Sequence, residues 1–169
     1  MKSDNQILRE RAVKNALKID SKITVQEDSL SFLEFTLLSQ KFAIDSSFAT
    51  EVHFLKEITP IPGAPHFVSG VVFHRGKIVS VINLRSLFKM RERGLTDLNK
   101  FIILSYKEIY FGIIADSIIG ITQKSTSAIT PPPSTVDLKV STFISGIFPD
   151  GVVLLDAKKL ITSPEIIIK

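Results

Sequence analysis

Apolar and polar residues alternate along most of this chain with the two-residue period of β-strands. In FLEFTL, residues 32–37, apolar side chains alternate with Glu34 and Thr36, which is typical of a strand with one buried face. Short apolar runs recur as far as residue 161, separated by turn signals rich in Gly, Pro, Ser and Lys. Regularly spaced short strands of this kind predict an all-β fold.

The beginning of the chain has a different pattern. Residues 4–20 contain a candidate N-cap, Asp4, and a thin apolar stripe at spacings of four, four and three residues, which predicts a helix. Residues 21–29 are polar and are expected to form a linker. We therefore predict an N-terminal helical extension and linker over residues 1–29, followed by a β domain over residues 30–163.

Turn chemistry places two features in the first half of the β domain. The segment TPIPGAP, residues 59–65, contains three prolines, and because proline fixes φ and lacks a backbone donor, this segment predicts a rigid loop. The following segment, GVVFHRGKIVSVI, predicts a hairpin in which two apolar strands are joined through His74, Arg75 and Gly76.

The pattern then repeats. FIILSYKEIYFGII resembles FTLLSQKFAI, TPPPS stands in the place of TPIPGAP, and GIFPDGVVLLDAKKLI resembles the hairpin segment. Two copies predict two similar small β-barrels, roughly residues 30–88 and 99–163, between which strands can be exchanged. Each barrel alone is near the lower size limit for a stable core, so we expect them to depend on each other. A groove between them is the predicted binding site.

The residue types needed for catalysis or metal binding are sparse. The chain has no cysteine, and its three histidines lack the i, i+4 spacing of a helical metal pair, so no zinc site is predicted. GVVFHRGK differs from a phosphate-binding loop in the spacing of its glycines, and Ile78 stands where Ser or Thr would bind magnesium. The sequence therefore predicts no catalytic residue, no metal and no cofactor.

Charge and hydropathy bear on the class of partner. The net charge is +4, but the basic residues are spread along the chain, whereas nucleic-acid binding requires a basic patch. We therefore predict no nucleic-acid partner. The alternative hypothesis is that the protein is a small β-barrel that binds nucleic acid. No apolar run has the roughly 18 residues needed to span a bilayer. We therefore expect a cytoplasmic protein that does not insert into the membrane.

Taken in order, these segments resemble a known family. The matching motifs are FTL, KFAID, ATEV, TPIPGAP, GVVFHRGKIVSVINLRSLF, FGIIADSI, PPPS and GIFPDGVVLLDAKKLI. They cover about three quarters of the chain, from about Phe32 to Ile161, and their order is more specific than any one of them. The chain is similar to the CheW-like domain of bacterial chemotaxis coupling proteins, which also occurs in their partner kinase.

The resemblance implies a fold and a function. The implied fold is two interlocked, small, five-stranded, SH3-like β-barrels with short helices. The implied function is that of a non-enzymatic adaptor in a chemosensory array at the inner face of the membrane. Such an adaptor joins the cytoplasmic tip of a chemoreceptor to the regulatory domain of a CheA-type histidine kinase. The receptor tip is a helical hairpin, and it would lie in the groove between the barrels.

The resemblance also implies which residues act. Arg75 of the Arg-Gly turn is expected to couple to the receptor, and Glu51 of ATEV is expected to pair with it. Surface ion pairs stabilise folds little, so orienting a guanidinium toward a partner is the better reason for this pair. Asp116 of FGIIADSI is expected to be structural and to bond a turn. The predicted partner-binding residues are Glu51, Gly70, Phe73, His74, Arg75 and Gly76.

Overall fold

The computed structural model of this protein describes Gln6 and residues 29–167. The predicted helix over residues 4–20 lies, apart from Gln6, outside the described residues. The strands are β1 Ser29–Leu37, β2 Gln40–Asp45, β3 Ala49–Phe54, β4 Val68–His74, β5 Lys77–Ile82, β6 Lys100–Tyr106, β7 Ile109–Ala115, β8 Ser117–Ser125, β9 Ile144–Ile147 and β10 Val153–Leu155. The helices are α1 Leu84–Leu87, α2 Leu138–Ser141 and α3 Ala157–Thr162, and residues Ser46–Phe48 form a 3₁₀ turn.

The strands form two five-stranded sheets of the same plan. Sheet 1 has the order β8-β1-β2-β10-β9, and sheet 2 has the order β3-β6-β7-β5-β4. In each sheet a central hairpin, β1–β2 or β6–β7, pairs in parallel with the last strand of a second hairpin, β9–β10 or β4–β5. The all-β prediction and the predicted pair of five-stranded units are confirmed.

Each sheet contains strands from both halves of the chain. The first half contributes β1 and β2 to sheet 1 and β3, β4 and β5 to sheet 2. The second half contributes β6 and β7 to sheet 2 and β8, β9 and β10 to sheet 1. The two units are therefore interlocked by reciprocal exchange of a hairpin, and residues 30–88 and 99–163 do not form separate sheets.

One isolated bridge joins the edges of each sheet. In sheet 2, Thr59 and Val71 exchange two backbone hydrogen bonds of 2.8 and 2.9 Å, and in sheet 1, Thr130 and Ile147 exchange two of 3.0 and 2.8 Å. Both threonines precede a proline, in the ITP triplets at residues 58–60 and 129–131. The two proline loops that the sequence places in equivalent positions therefore close the two barrel-like units in the same way.

Glycine allows both edges to approach this closely. A Cβ built on Gly70 would lie 2.2 Å from the carbonyl oxygen of Thr59, and one built on Gly146 would lie 2.7 Å from that of Thr130. Real Cβ atoms do not come so near a backbone oxygen, so each position requires a residue without a side chain. Gly70 is therefore essential to the closure of sheet 2.

The apolar core explains why neither unit is independent. The largest buried cluster lies between the sheets and includes Phe35 and Ile44 of sheet 1 together with Ile102 and Ile113 of sheet 2. Smaller clusters fill the inside of sheet 2, around Phe101, and the inside of sheet 1. Separating the units would expose the largest cluster, which supports the expectation that they depend on each other. None of the described helices is long and apolar enough to cross a membrane.

A buried arginine lies where the two sheets meet. Arg85 of α1 is fully buried, and its guanidinium nitrogens have no hydrogen-bond partner among the described residues. The nearest carboxylate oxygen is Oδ1 of Asp116, 3.8 Å from Nη1. Asp116 also accepts a hydrogen bond of 2.6 Å from the backbone N–H of Leu38 in the β1–β2 turn and one of 2.9 Å from Asn99. The expectation that Asp116 bonds a turn is confirmed.

Candidate functional site

The turn that joins β4 to β5 holds Arg75 in an unusual backbone conformation. His74 pairs with Lys77, so Arg75 and Gly76 form a two-residue loop, and their φ angles are +46° and +77°. Positive φ at both positions is typical of the type I′ turn, which matches the twist of the flanking strands. The turn projects the Arg75 side chain into solvent, where it is 71% exposed.

Glu51 on the edge strand β3 orients this guanidinium. Its Oε1 accepts a hydrogen bond of 3.1 Å from Nη1 of Arg75. Because side chains two residues apart on a strand share a face, His53 lies beside Glu51 and donates from Nε2 to Oε2 at 2.7 Å. The fold thus brings together the two residues that were expected to pair and adds a histidine to them.

His74 contacts the same carboxylate oxygen as His53. Its Nε2 lies 3.1 Å from Oε2 of Glu51, and its Nδ1 lies 3.1 Å from Nζ of Lys56. An ammonium only donates hydrogen bonds, so Nδ1 accepts and Nε2 carries the proton that is shared with Glu51. His74 is 7% exposed and its side chain faces inward. Its role is to hold the Glu51 carboxylate in position from the buried side of the cluster.

The electrostatics of this cluster keep Glu51 ionised. Hydrogen bonds from His53 and from His74 lower the pKa of Glu51, burial opposes this shift, and the charge of Arg75 lowers the pKa further. A carboxyl whose pKa is lower in the folded protein stabilises the fold above its unfolded pKa, and this contribution is lost as the pH falls through the folded pKa. Glu51 is therefore ionised at neutral pH and can pair with the guanidinium of Arg75.

A groove of about 560 Å³ lies beside this ion pair. Its walls are formed by Thr50, Glu51, His74, Arg75, Lys77, Val79, Ile103, Ser105, Lys107, Glu108 and Tyr110. All of these residues belong to β3–β7 or to their turns, so the groove lies in sheet 2 alone. The sequence prediction placed the binding groove between the two units, whereas the groove that Glu51 and Arg75 border lies within sheet 2. The reason is the hairpin exchange, which places β6 and β7 from the second half of the chain in the same sheet as β3, β4 and β5.

The other predicted residues lie at different places. Phe73 is 70% exposed on the outer face of β4, where it is paired in register with the exposed Ile78, and it does not line the groove. Gly70 is buried beneath Thr59, so its place is in the sheet closure. Gly76 forms the turn with Arg75. Of the six predicted residues, the structure brings Glu51, His74 and Arg75 into one cluster.

Sequence reasoning missed two members of this cluster. His53 could have been found from the two-residue period of β3, which places it on the same face as Glu51. Lys56 lies beyond the end of β3, in the segment that leads to Thr59. No pattern in the sequence shows that this segment turns toward β4, because the approach depends on the bridge between Thr59 and Val71.

Comparison with known proteins shows which family shares these motifs and this fold. The sequence model of the CheW-like domain matches residues 31–165. The chain belongs to the CheW-like family. It is 28% identical over 151 residues to the chemotaxis protein CheW of Treponema pallidum, which covers 85% of this chain and 89% of that protein. It is 27% identical over 148 residues to the chemotaxis protein CheW of Klebsiella aerogenes, with 86% and 89% covered.

A solved structure shares the fold of this CheW-like chain. The scaffolding protein TtCheW from Thermoanaerobacter tengcongensis superposes with a TM-score of 0.69 at 27% sequence identity, covering 80% of this chain and 94% of that one. The match covers most of both chains. The sequence-based identification of a CheW-like domain is confirmed.

Proposed function

We propose that this CheW-like protein is a non-enzymatic scaffold that couples the cytoplasmic tip of chemoreceptors to the regulatory domain of a CheA-type histidine kinase. Membership of a family whose named relatives are chemotaxis and scaffolding proteins supports this function. The proposed place of action is the receptor array at the inner face of the membrane.

The observation that carries the receptor part of the proposal is the geometry of Arg75. Its side chain is exposed at the rim of the groove. The turn holds the Arg75 backbone at positive φ, and Oε1 of Glu51 lies 3.1 Å from Nη1 of its guanidinium. An oriented guanidinium can donate two hydrogen bonds to a carboxylate or to backbone carbonyls at a helix end. In the proposed complex Arg75 sets the position of the receptor hairpin, while the groove beside it supplies contact area.

The charges of the groove favour a protein partner over nucleic acid. Three basic residues, Arg75, Lys77 and Lys107, alternate there with Glu51 and Glu108. A nucleic-acid backbone requires a continuous positive surface because each contact replaces a counterion, and the two carboxylates interrupt such a surface. The alternative function therefore gains no support from this site.

Substitution of Arg75 by asparagine is the test of this proposal. Asparagine tolerates positive φ before glycine, so this variant removes the guanidinium and keeps the turn. We expect the affinity for a soluble receptor cytoplasmic fragment to fall about tenfold, as for a loss of one oriented charged contact. The affinity for the isolated regulatory domain of the kinase should be unchanged. Titration calorimetry with each fragment measures both.

Arg93→Asn is the matched control because Arg93 is an exposed arginine in the polar loop before β6 and does not line the groove. It removes the same charge and should leave both affinities unchanged. Equal loss of receptor binding in the two variants would show a general charge effect and refute the role of Arg75. A fall in the Tm of Arg75→Asn together with loss of binding would show that Arg75 is structural.

A further inference from the structure

We propose that Glu51, His53 and His74 form a binding site for a divalent transition-metal ion, with Zn²⁺ as its representative. Each residue offers one ligand atom, and these three atoms all lie within 4.8 Å of one another. The site does not depend on the scaffold function, because it is defined by metal binding alone.

The distances fit a metal centre. Oε2 of Glu51 lies 2.7 Å from Nε2 of His53 and 3.1 Å from Nε2 of His74. Around a tetrahedral zinc ion with bonds of about 2.0–2.1 Å, neighbouring ligand atoms are about 3.3 Å apart. Small side-chain rotations are therefore sufficient to admit the ion. Two imidazoles and one carboxylate form a known zinc ligand set that leaves a fourth position open for water.

The strands hold these ligands in place. Glu51 and His53 are two residues apart on β3, and His74 ends β4. β3 and β4 are the two edge strands of sheet 2. The bridge between Thr59, which lies beyond the end of β3, and Val71 of β4 brings these two edges together. A metal ion at this position would join the two edges at a second point, so metal binding should stabilise the fold.

Two cations oppose the metal and set its affinity. Arg75 contacts Oε1 of Glu51, and Nζ of Lys56 occupies the side of His74 opposite to its Nε2. When Nε2 binds a metal, the neutral imidazole carries its proton on Nδ1, which then faces the ammonium of Lys56. Both cationic side chains are exposed and can turn into solvent. We therefore expect an affinity in the micromolar range that rises when Lys56 is removed.

The ligand set also determines which ions bind. Imidazole nitrogen suits zinc, copper and nickel, whereas magnesium and calcium require oxygen ligands. With two nitrogens and one carboxylate, this site should bind Zn²⁺ and Ni²⁺ and should reject Mg²⁺ and Ca²⁺. Ca²⁺ is therefore a suitable control for nonspecific binding to surface carboxylates.

Calorimetric titration of tag-free, chelator-treated full-length protein with zinc chloride is the test. We expect one bound ion per chain, a rise in Tm with zinc, and neither effect with calcium chloride. His53→Gln and His74→Gln should each weaken zinc binding at least tenfold, and Lys56→Gln should strengthen it severalfold. His53 is the safer position because it is partly exposed, whereas His74 is buried, and circular dichroism checks that each variant folds.

His66→Gln is the matched control. His66 is exposed in the loop before β4, where its ring and that of Phe67 form a T-shaped pair, and it lies outside the cluster. Its substitution should leave zinc binding unchanged. The proposal is overturned if zinc produces no heat and no change in Tm, if binding is unaffected in a folded His53→Gln variant, or if His66→Gln reduces it as much.

Discussion

Replacement of Gly70 by alanine is expected to lower the free energy of unfolding by about 3–5 kcal/mol. The new Cβ would lie 2.2 Å from the carbonyl oxygen of Thr59 and 2.8 Å from Cγ2 of Ile58, at a φ of +141° that side chains rarely adopt. Neither a backbone carbonyl nor a bridged strand can move away easily, so the bridge between Thr59 and Val71 should break. Thermal and urea unfolding followed by circular dichroism measure the loss.

Gly120→Ala separates the two causes of this effect. Gly120 on β8 has nearly the same φ, +145°, but an added Cβ meets no atom within 4 Å. We expect a cost of about 1–3 kcal/mol from backbone strain alone. The difference between the two variants measures the close approach of the sheet edges. If both variants lost the same stability, the close contact at Gly70 would have no energetic consequence and the closure argument would be wrong.

Breakage of the Thr59–Val71 bridge by substitution of Gly70 should also disturb the candidate site. The Thr59–Val71 bridge positions the segment that carries Lys56, and β4 ends at His74, directly before Arg75 in the turn. A Gly70 variant that still folds is therefore expected to bind the receptor fragment more weakly, without any direct contact of Gly70 with the receptor. Gly70 would then affect binding through the closure of sheet 2 and not as a residue that lines the groove.

Substitution of Asp116 by alanine is the other change with a large expected effect, about 3–5 kcal/mol. Asp116 provides the carboxylate nearest to the fully buried Arg85, at 3.8 Å, and it also accepts hydrogen bonds from Leu38 and Asn99. Without it, the buried guanidinium has no counter-charge within 4 Å among the described residues, and the N–H of Leu38 and the amide of Asn99 lose this acceptor. Chemical denaturation of Asp116→Ala at neutral pH measures the cost.

The double variant Arg85→Met, Asp116→Asn tests the cause. Methionine fills much of the arginine volume without charge, and asparagine keeps an acceptor for the neighbouring donors. We expect the double variant to be more stable than Asp116→Asn alone, because removing the buried charge removes the need for the carboxylate. Additive losses in the two single variants and the double variant would show that the charges of Arg85 and Asp116 are not coupled.

The strand pattern was readable because it is local. Alternation in FLEFTL predicted β1, and the apolar runs on both sides of HRG predicted the hairpin of β4 and β5. One detail differs, since alternation placed Glu34 on an exposed face. The structure buries Glu34, where it accepts a hydrogen bond of 2.7 Å from Thr122 and pairs with Lys124 at 2.9 Å. The polar side chain is buried because Glu34 lies on the inner face of sheet 1, opposite Ala43 and two residues from Phe32, which both belong to the smaller apolar cluster of that sheet.

The candidate site was predictable in part. Arg75 and Glu51 were named from the family resemblance, and the structure joins them at 3.1 Å. Lys56 and His53 were not named, and the histidine spacing argued against a metal. That spacing rule applies to a helix, whereas this cluster is assembled from two strand edges that are about 20 residues apart in sequence.

By itself the sequence determined the local elements of this protein: the short strands, the proline loops, the Arg-Gly turn and the duplication, all of which follow from residue type and spacing. Only the tertiary structure decided which hairpins the two halves exchange, that the groove beside Arg75 lies within sheet 2, and that two histidines and a lysine lie around Glu51. The physical reason is that strand pairing joins residues far apart in the chain. Which edges meet depends on closing the sheets over a shared core, and a local pattern does not contain that information.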